Sequence, residues 1–286
     1  MKPATRGTLR ITQRGFTIVE FMVALAIGLV VSVVIGQIFV GSRQSFSSQE
    51  DSARMQESMR NAALLMTRTI RLAGFRNNPG LDPNTIFPKA TTPVITGAND
   101  VVVSGLPTQT TNKVAPTGAS PAVTPDTITV RFQGSGGGGG AAADGTIVDC
   151  IGNSIDFGVM VSNTFGIRPV TKADGTLSSS LFCSIDGGAT WPATSELVSD
   201  VDNMQVLYGV DTDNDGAANV FVRIGDVADV DTIVSVRLWL LLRSQTATYI
   251  NVQPSTFTLA GNTFTYNDRF TRQVLYTTVN LRNRTL

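Results

Sequence analysis

Three small groups of residues in this 286-residue chain could do chemistry. The first is Asp211-Thr212-Asp213-Asn214-Asp215-Gly216-Ala217-Ala218-Asn219, with side-chain oxygens at positions one, three, five and nine and a glycine at six. That is the first half of a calcium loop of the EF-hand type. Position twelve is Val222 rather than a bidentate Glu, so any Ca2+ held by Asp211, Asp213, Asp215 and Asn219 would be held weakly. The other reading is a plain hairpin turn, since Asp, Asn and Gly are ordinary turn residues. The second group is the pair Cys150 and Cys183, the chain's two cysteines. Paired, they close a loop of about 34 residues, worth about 3–4 kcal/mol in the chain-entropy model. A disulfide fits an oxidising compartment; two buried thiols are the alternative. The third is Glu20, one acid near the start of a long apolar run. A carboxylate in hydrocarbon costs about 2.5–3.5 kcal/mol, so it either sits at a membrane edge or has a partner.

What is missing narrows the field. The chain has no histidine, which excludes His-based triads and His-ligated metals within this chain. Asp226, Asp229 and Asp231 cluster in a stretch best read as a solvated loop. No set of residues resembles catalytic machinery, and an enzyme is not expected. Basic and acidic residues balance at 22 each. Four of the basic ones, Lys2, Arg6, Arg10 and Arg14, precede Gly15; without them 18 basic would face 22 acidic, a charge of −4. No basic surplus points to nucleic acid.

The elements that must carry these residues follow from periodicity. Residues 16–40 are apolar apart from Thr17, Glu20, Ser32 and Gln37. As a helix they span about 37 Å, enough for a bilayer core of about 30 Å. The basic N-terminus sets that end in the cytoplasm and the remainder outside. A cleaved secretory signal is disfavoured, because the run is too long and helix continues beyond it. Met55, Met59, Ala62, Met66, Ile70 and Ala73 recur at steps of three and four, one apolar stripe on an amphipathic segment over 41–76. Gly74 is a plausible C-cap, and Asn77-Asn78-Pro79-Gly80 stops the helix. Gly28, Gly36 and Gly41 allow local bending.

Residues 77–286 lose the helical period. Strands are expected at Val101–Val103, Thr127–Phe132, Thr146–Cys150, Ser180–Ile185, Asn203–Val210, Asn219–Ile224, Thr232–Leu242, Phe264–Tyr266 and Arg272–Val279. The glycine-rich stretch Gly134–Gly145 reads as a flexible surface loop. Val234–Leu242 is the candidate central strand against the helix; Trp239 is expected in the core and Trp191 in a loop. The fold class is α+β: a long N-terminal α-helix, transmembrane in its first half and amphipathic in its second, packed on a C-terminal antiparallel β-sheet.

Arg14-Gly15-Phe16-Thr17-Ile18-Val19-Glu20, with the apolar run behind it, resembles a type IV prepilin signal. The resemblance implies a leader of residues 1–15, cut between Gly15 and Phe16 by a prepilin peptidase that also methylates the new Phe16 amine. It also implies that Glu20 pairs with the Phe16 amine of a neighbouring subunit in the filament. A pair with its own N-terminus, or snorkelling to the headgroups, is the local alternative. Asp149–Gly152, Val206–Asp213 and Thr277–Arg284 resemble the PilW family of minor pilins. That resemblance implies an inner-membrane protein, single-pass, with its β-rich domain in the periplasm. It would join other minor pilins and the major pilin in a priming or tip complex, then enter the pilus, and would require no cofactor. A minor pseudopilin of type II secretion and a pilus-tip adhesin or ligand-binding module are the alternatives.

Overall fold

The structure, a computed structural model, describes residues 15, 17–77, 87, 92–101, 110–112, 124–136 and 142–283. The chain divides into two compact units, Met1–Glu50 and Asp51–Leu286. One helix, α1 (Ile18–Arg71), contributes to both. It runs unbroken through Gly28, Gly36 and Gly41, where the Ser32 hydroxyl donates to the Gly28 carbonyl at 2.8 Å. In the first unit every large apolar side chain from Ile18 to Val40 is exposed, and the helix is long and apolar enough to cross a bilayer.

In the second unit the stripe read from the sequence is the buried face of α1. Met55, Ala62, Met66, Ile70 and Ala73 are buried, with Met59 packed at the margin. The helix ends by tightening: Leu72 and Ala73 donate to carbonyls three residues back, and Gly74 turns left-handed at φ +75°. A β-carbon at Gly74 would lie 2.9 Å from the Asn283 carbonyl oxygen, so only glycine fits there without displacing backbone. The Gly74 N–H donates not back into the helix but to Arg131, and the Gln133 N–H to Phe75. The helix exit is thereby hydrogen-bonded to a strand of the sheet.

The antiparallel expectation holds, but among the described residues three sheets form where one was expected. The first has the order β1 (Ile95–Ala98), β3 (Thr127–Gln133), β4 (Met160–Thr171), β5 (Leu177–Ser184), β6 (Glu196–Ser199). The second is β12 (Arg272–Asn280), β9 (Ile233–Arg243), β7 (Val201–Val210), β8 (Val220–Val222). The third is β10 (Gln253–Leu259), β11 (Asn262–Asp268), β2 (Thr110–Asn112). Ile128, Val130 and Phe132 of β3, Phe165 and Ile167 of β4, Val206 and Tyr208 of β7 and Val236, Leu238 and Leu240 of β9 share one core with the helix stripe. The candidate central strand is central, lying between β12 and β7. Trp239 is a correction: it is half-buried outside that core, with Tyr276 at 5.0 Å and with a smaller cluster of Leu241, Leu259, Phe264 and Tyr266. In β9 successive side chains alternate faces, and both faces are covered.

Two strand expectations need correcting. Thr146–Cys150 is not a strand, because the Asp149 carboxylate accepts the N–H groups of Ile151 (3.0 Å) and Asn153 (2.9 Å) and rolls the chain into a turn. The strand expected to reach Ile224 stops at Val222, and a short 3-10 turn takes over. Val102 and Val103, like Asn78–Gly80 and the middle of the glycine run, lie outside the described residues; Val101 is not in a strand. The ends of that run meet, with Gly136 bridged to Ala143 and the Ser135 hydroxyl on Asp144 at 2.8 Å. Strand β4 had gone unnoticed because Gly166, Arg168 and Pro169 interrupt its apolar pattern.

The sheets are tied together by buried charge. Arg272 lies against Asp202 (Nε–Oδ2 2.7 Å) and forks onto Asp268 (2.8 and 2.5 Å). Arg243 reaches Asp200 at 3.4 Å and Asp202 at 3.8 Å, and Lys172 reaches Asp200 at 2.8 Å. Ser178 and Ser179 of β5 donate to Asp200 (2.8 Å) and Asp202 (3.1 Å). The guanidiniums also cover aromatic faces, Arg272 over Tyr266 at 3.9 Å and Arg243 over Phe270 at 4.5 Å. Burial pushes the Asp202 carboxyl above its ordinary range, against the pull of Arg272 and Arg243.

Candidate functional site

Glu20 sits in the first turn of α1. Its carboxylate accepts the Thr17 N–H at 3.4 Å, and its own N–H donates to the Thr17 hydroxyl at 3.2 Å. That reciprocal pair is a capping box, Thr17 being the N-cap and Glu20 the third helical residue. The Thr-x-x-Glu signal stood in the sequence and was missed there, hidden by the question of membrane burial. Glu20 is exposed, and a negative charge at this end also suits the helix dipole. The carboxylate still has acceptor capacity for a second donor. Gly15 is exposed, with open space around its α-carbon, while Phe16 lies outside the described residues.

The acidic stretch forms the loop of the β7–β8 hairpin, whose last pair is Val210 with Val220. Asp211 is buried and its carboxylate organises the loop. It accepts the N–H groups of Asp213 (3.3 Å), Asn214 (2.7 Å) and Gly216 (2.8 Å). Burial alone would raise this carboxyl, but those donors hold it below its ordinary range. Asn214 and Gly216 adopt positive φ, +61° and +86°, which the tight loop requires. Carboxylate oxygens of Asp211, Asp213 and Asp215 lie within 4.8 Å of one another. Asn219 is directed elsewhere: its side-chain oxygen accepts the Thr212 N–H (2.6 Å) and hydroxyl (3.1 Å). Val222, in β8, supplies no oxygen from its side chain. The loop therefore assembles three of the four ligands expected from the sequence.

Cys150 and Cys183 form a disulfide with their α-carbons 6.3 Å apart. Cys183 is in β5 opposite Phe165, and both sulfurs belong to the main core. The bond pins the irregular segment around Asp149 to the first sheet. Asp226, Asp229 and Asp231 lie in and beside two short 3-10 turns, with Asp229 accepting the Asp231 N–H at 2.9 Å.

A membrane-length helix led by a Gly-Phe junction and a Thr-x-x-Glu cap, followed by a disulfide-bonded antiparallel β domain, defines a class. Residues 10–36 match the prokaryotic N-terminal methylation motif. Residues 167–283, which run from within β4 to just past β12, match the family described as type IV pilus-assembly protein W. The protein is type IV pilin-like, a chain with an N-terminal methylation motif and a helix long and apolar enough to anchor it in a membrane. The likeness to the PilW family covers the C-terminal part of the chain alone and, with the methylation motif, supports a pilus-assembly minor pilin in general. No curated protein matches it. A solved type IV-like pilin from Thermus thermophilus is similar at 12% identity and a TM-score of 0.42, over 82% of this chain and 98% of that one.

Proposed function

We propose that this protein joins other minor pilins in a complex that primes type IV pilus assembly and sits at the pilus tip. Before assembly the apolar part of α1 holds it in the inner membrane, with the β domain in the periplasm. The prepilin peptidase cleaves between Gly15 and Phe16 and methylates the new amine, and the chain then passes into the filament beside the major pilin. The observation that supports this most is the exposed apolar surface of α1 beside the methylation motif: Phe21, Leu25, Leu29 and Ile35 are each at least 59% exposed. Such a surface must be covered, by lipid first and by neighbouring helices in a filament. The same motif opens the pseudopilins of type II secretion; the PilW match supports the pilus reading. No catalytic role enters this reading.

Glu20 then serves twice. In the single chain it caps its own helix; in the filament it accepts the Phe16 amine of the next subunit, which also sets register because a slipped helix would strand both charges. The test is Glu20→Ala in cells, following peptidase cleavage and filament incorporation separately. Cleavage should continue while incorporation falls. A Glu20→Gln variant keeps a capping acceptor and loses the charge; incorporation at the normal level by this variant would refute the pairing role.

A further inference from the structure

The outer face of the first sheet carries a cleft of about 450 Å3, within the roughly 300–1,000 Å3 range of small-ligand sites. Its floor is built from alternate residues of the two middle strands, Thr127, Thr129 and Arg131 on β3 and Thr164, Gly166 and Arg168 on β4. One wall is the Trp191 indole. Gly166 makes room for it, since a β-carbon there would stand 2.9 Å from the ring. The indole N–H donates to the Gly188 carbonyl at 3.0 Å, and Asp186 braces that turn by accepting the Thr190 N–H (3.0 Å) and hydroxyl (2.6 Å).

The charges in the cleft are unbalanced. Arg131 is half-buried and held by Ser162 (Nε to Oγ, 3.1 Å) and the Pro93 carbonyl (2.7 Å), with no carboxylate partner among the described residues. Arg168 leans on the Trp191 ring at 5.4 Å and likewise has no carboxylate partner among them. The acid of the lining, Asp126, has both oxygens committed to backbone donors, Asp100 N–H and Val206 N–H at 2.9 Å each. Two guanidiniums with spare N–H groups thus face a cleft whose floor is hydroxyl-rich, where Thr129 and Thr164 pair at 2.7 Å. An uncompensated guanidinium in a partly dry site is matched best by an oxyanion.

Geometry narrows the ligand. Arg131 stands opposite Ser162 on β4, six residues from Arg168; at about 3.3 Å per residue the two arginine α-carbons are roughly 20 Å apart along the sheet. With the two arginines rooted at opposite ends of the floor, a short chain with charge along its length suits the cleft better than one small anion. An extended peptide normally docks by adding to a strand edge, but β3 and β4 are internal, with their backbone groups engaged in pairing. Recognition must come from hydroxyls, guanidiniums and an indole, which suit a polyhydroxylated anion. We propose that this cleft binds an acidic oligosaccharide, a short run of uronic acid units. The proposal is independent of the assembly role.

The probe is trigalacturonic acid, with maltotriose as the neutral control, titrated into the full-length protein in detergent carrying Trp239→Phe, so that Trp191 is the fluorophore. Saturable change with trigalacturonate is expected, with maltotriose weaker by at least about tenfold, the worth of a charged hydrogen bond. Arg168→Glu, at a half-buried side chain with no ion pair to lose among the described residues, should abolish binding while leaving the melting temperature in place. Arg131→Lys, which keeps the charge and loses the fork, should weaken it. Equal response to both sugars, no saturable response, or binding of a triglutamate peptide in place of trigalacturonate would overturn the assignment.

Discussion

Replacing Arg272 by Leu should be among the most damaging single changes in the β domain. The Arg272 and Asp202 side chains are 0% and 1% exposed and meet at 2.7 Å. With the guanidinium gone, Asp202 keeps the Ser179 hydroxyl and the more distant Arg243 at 3.8 Å. Breaking a buried pair from one side costs about 3–5 kcal/mol, because the remaining charge is left underpaired where it cannot hydrate. Asp268 adds little to that cost, since its side chain is 30% exposed and can turn to water. For a unit of this size the loss corresponds to a fall of about 6–20 °C in Tm. Removing both charges, Asp202→Asn with Arg272→Leu, leaves no stranded ion, so the double variant should fall short of the summed single effects by about 1 kcal/mol or more. The assay is thermal unfolding of the full chain in detergent, followed by near-ultraviolet circular dichroism, for the wild type, both single variants and the double. A drop below about 3 °C for Arg272→Leu, equivalent to about 1 kcal/mol, would refute the stranded-charge reasoning. So would strict additivity in the cycle.

Two further outcomes test other parts of the molecule. Burial pushes the Asp126 carboxyl up to about 6 from an ordinary 3.8, so the folded state holds its proton where the unfolded chain has lost it. Stability should therefore fall as pH rises from about 4 to about 6, by about 3 kcal/mol from this group. Carboxyls held low, such as Asp268 and Asp211, act in the opposite sense. The readout is accordingly the difference between wild type and Asp126→Asn, and a flat difference from pH 4 to 7 would exclude the effect. We also propose that Asp211, Asp213 and Asp215 bind calcium weakly: millimolar calcium should raise Tm in the wild type and not in Asp213→Asn/Asp215→Asn, and no shift in either would leave the loop a hairpin turn alone.

How much of this could be read beforehand depends on the range of the forces involved. The helix was legible because its signals are local: an apolar run, then a stripe at steps of three and four from Met55 to Ala73, then a glycine that alone tolerates the left-handed turn at position 74. Most strands announced themselves by alternation for the same reason. Thr146–Cys150 misled because one side chain, Asp149, competes for backbone N–H groups and wins, an outcome that alternation does not encode. The disulfide was legible because two cysteines leave a single pairing.

By itself, then, the sequence determined the membrane-length helix, its buried stripe, the Gly15-Phe16 junction and the α+β class, since each rests on residues near one another in the chain. Only the tertiary structure decided the division into three sheets. It also decided that Asn219 turns to Thr212 rather than to the acids. It brought Arg243 and Arg272 to Asp200 and Asp202, and Trp191 over Gly166 beside Arg168. These contacts join residues that the chain order separates. Their geometry is set by strand pairing and core packing, which take form only when the distant segments have met.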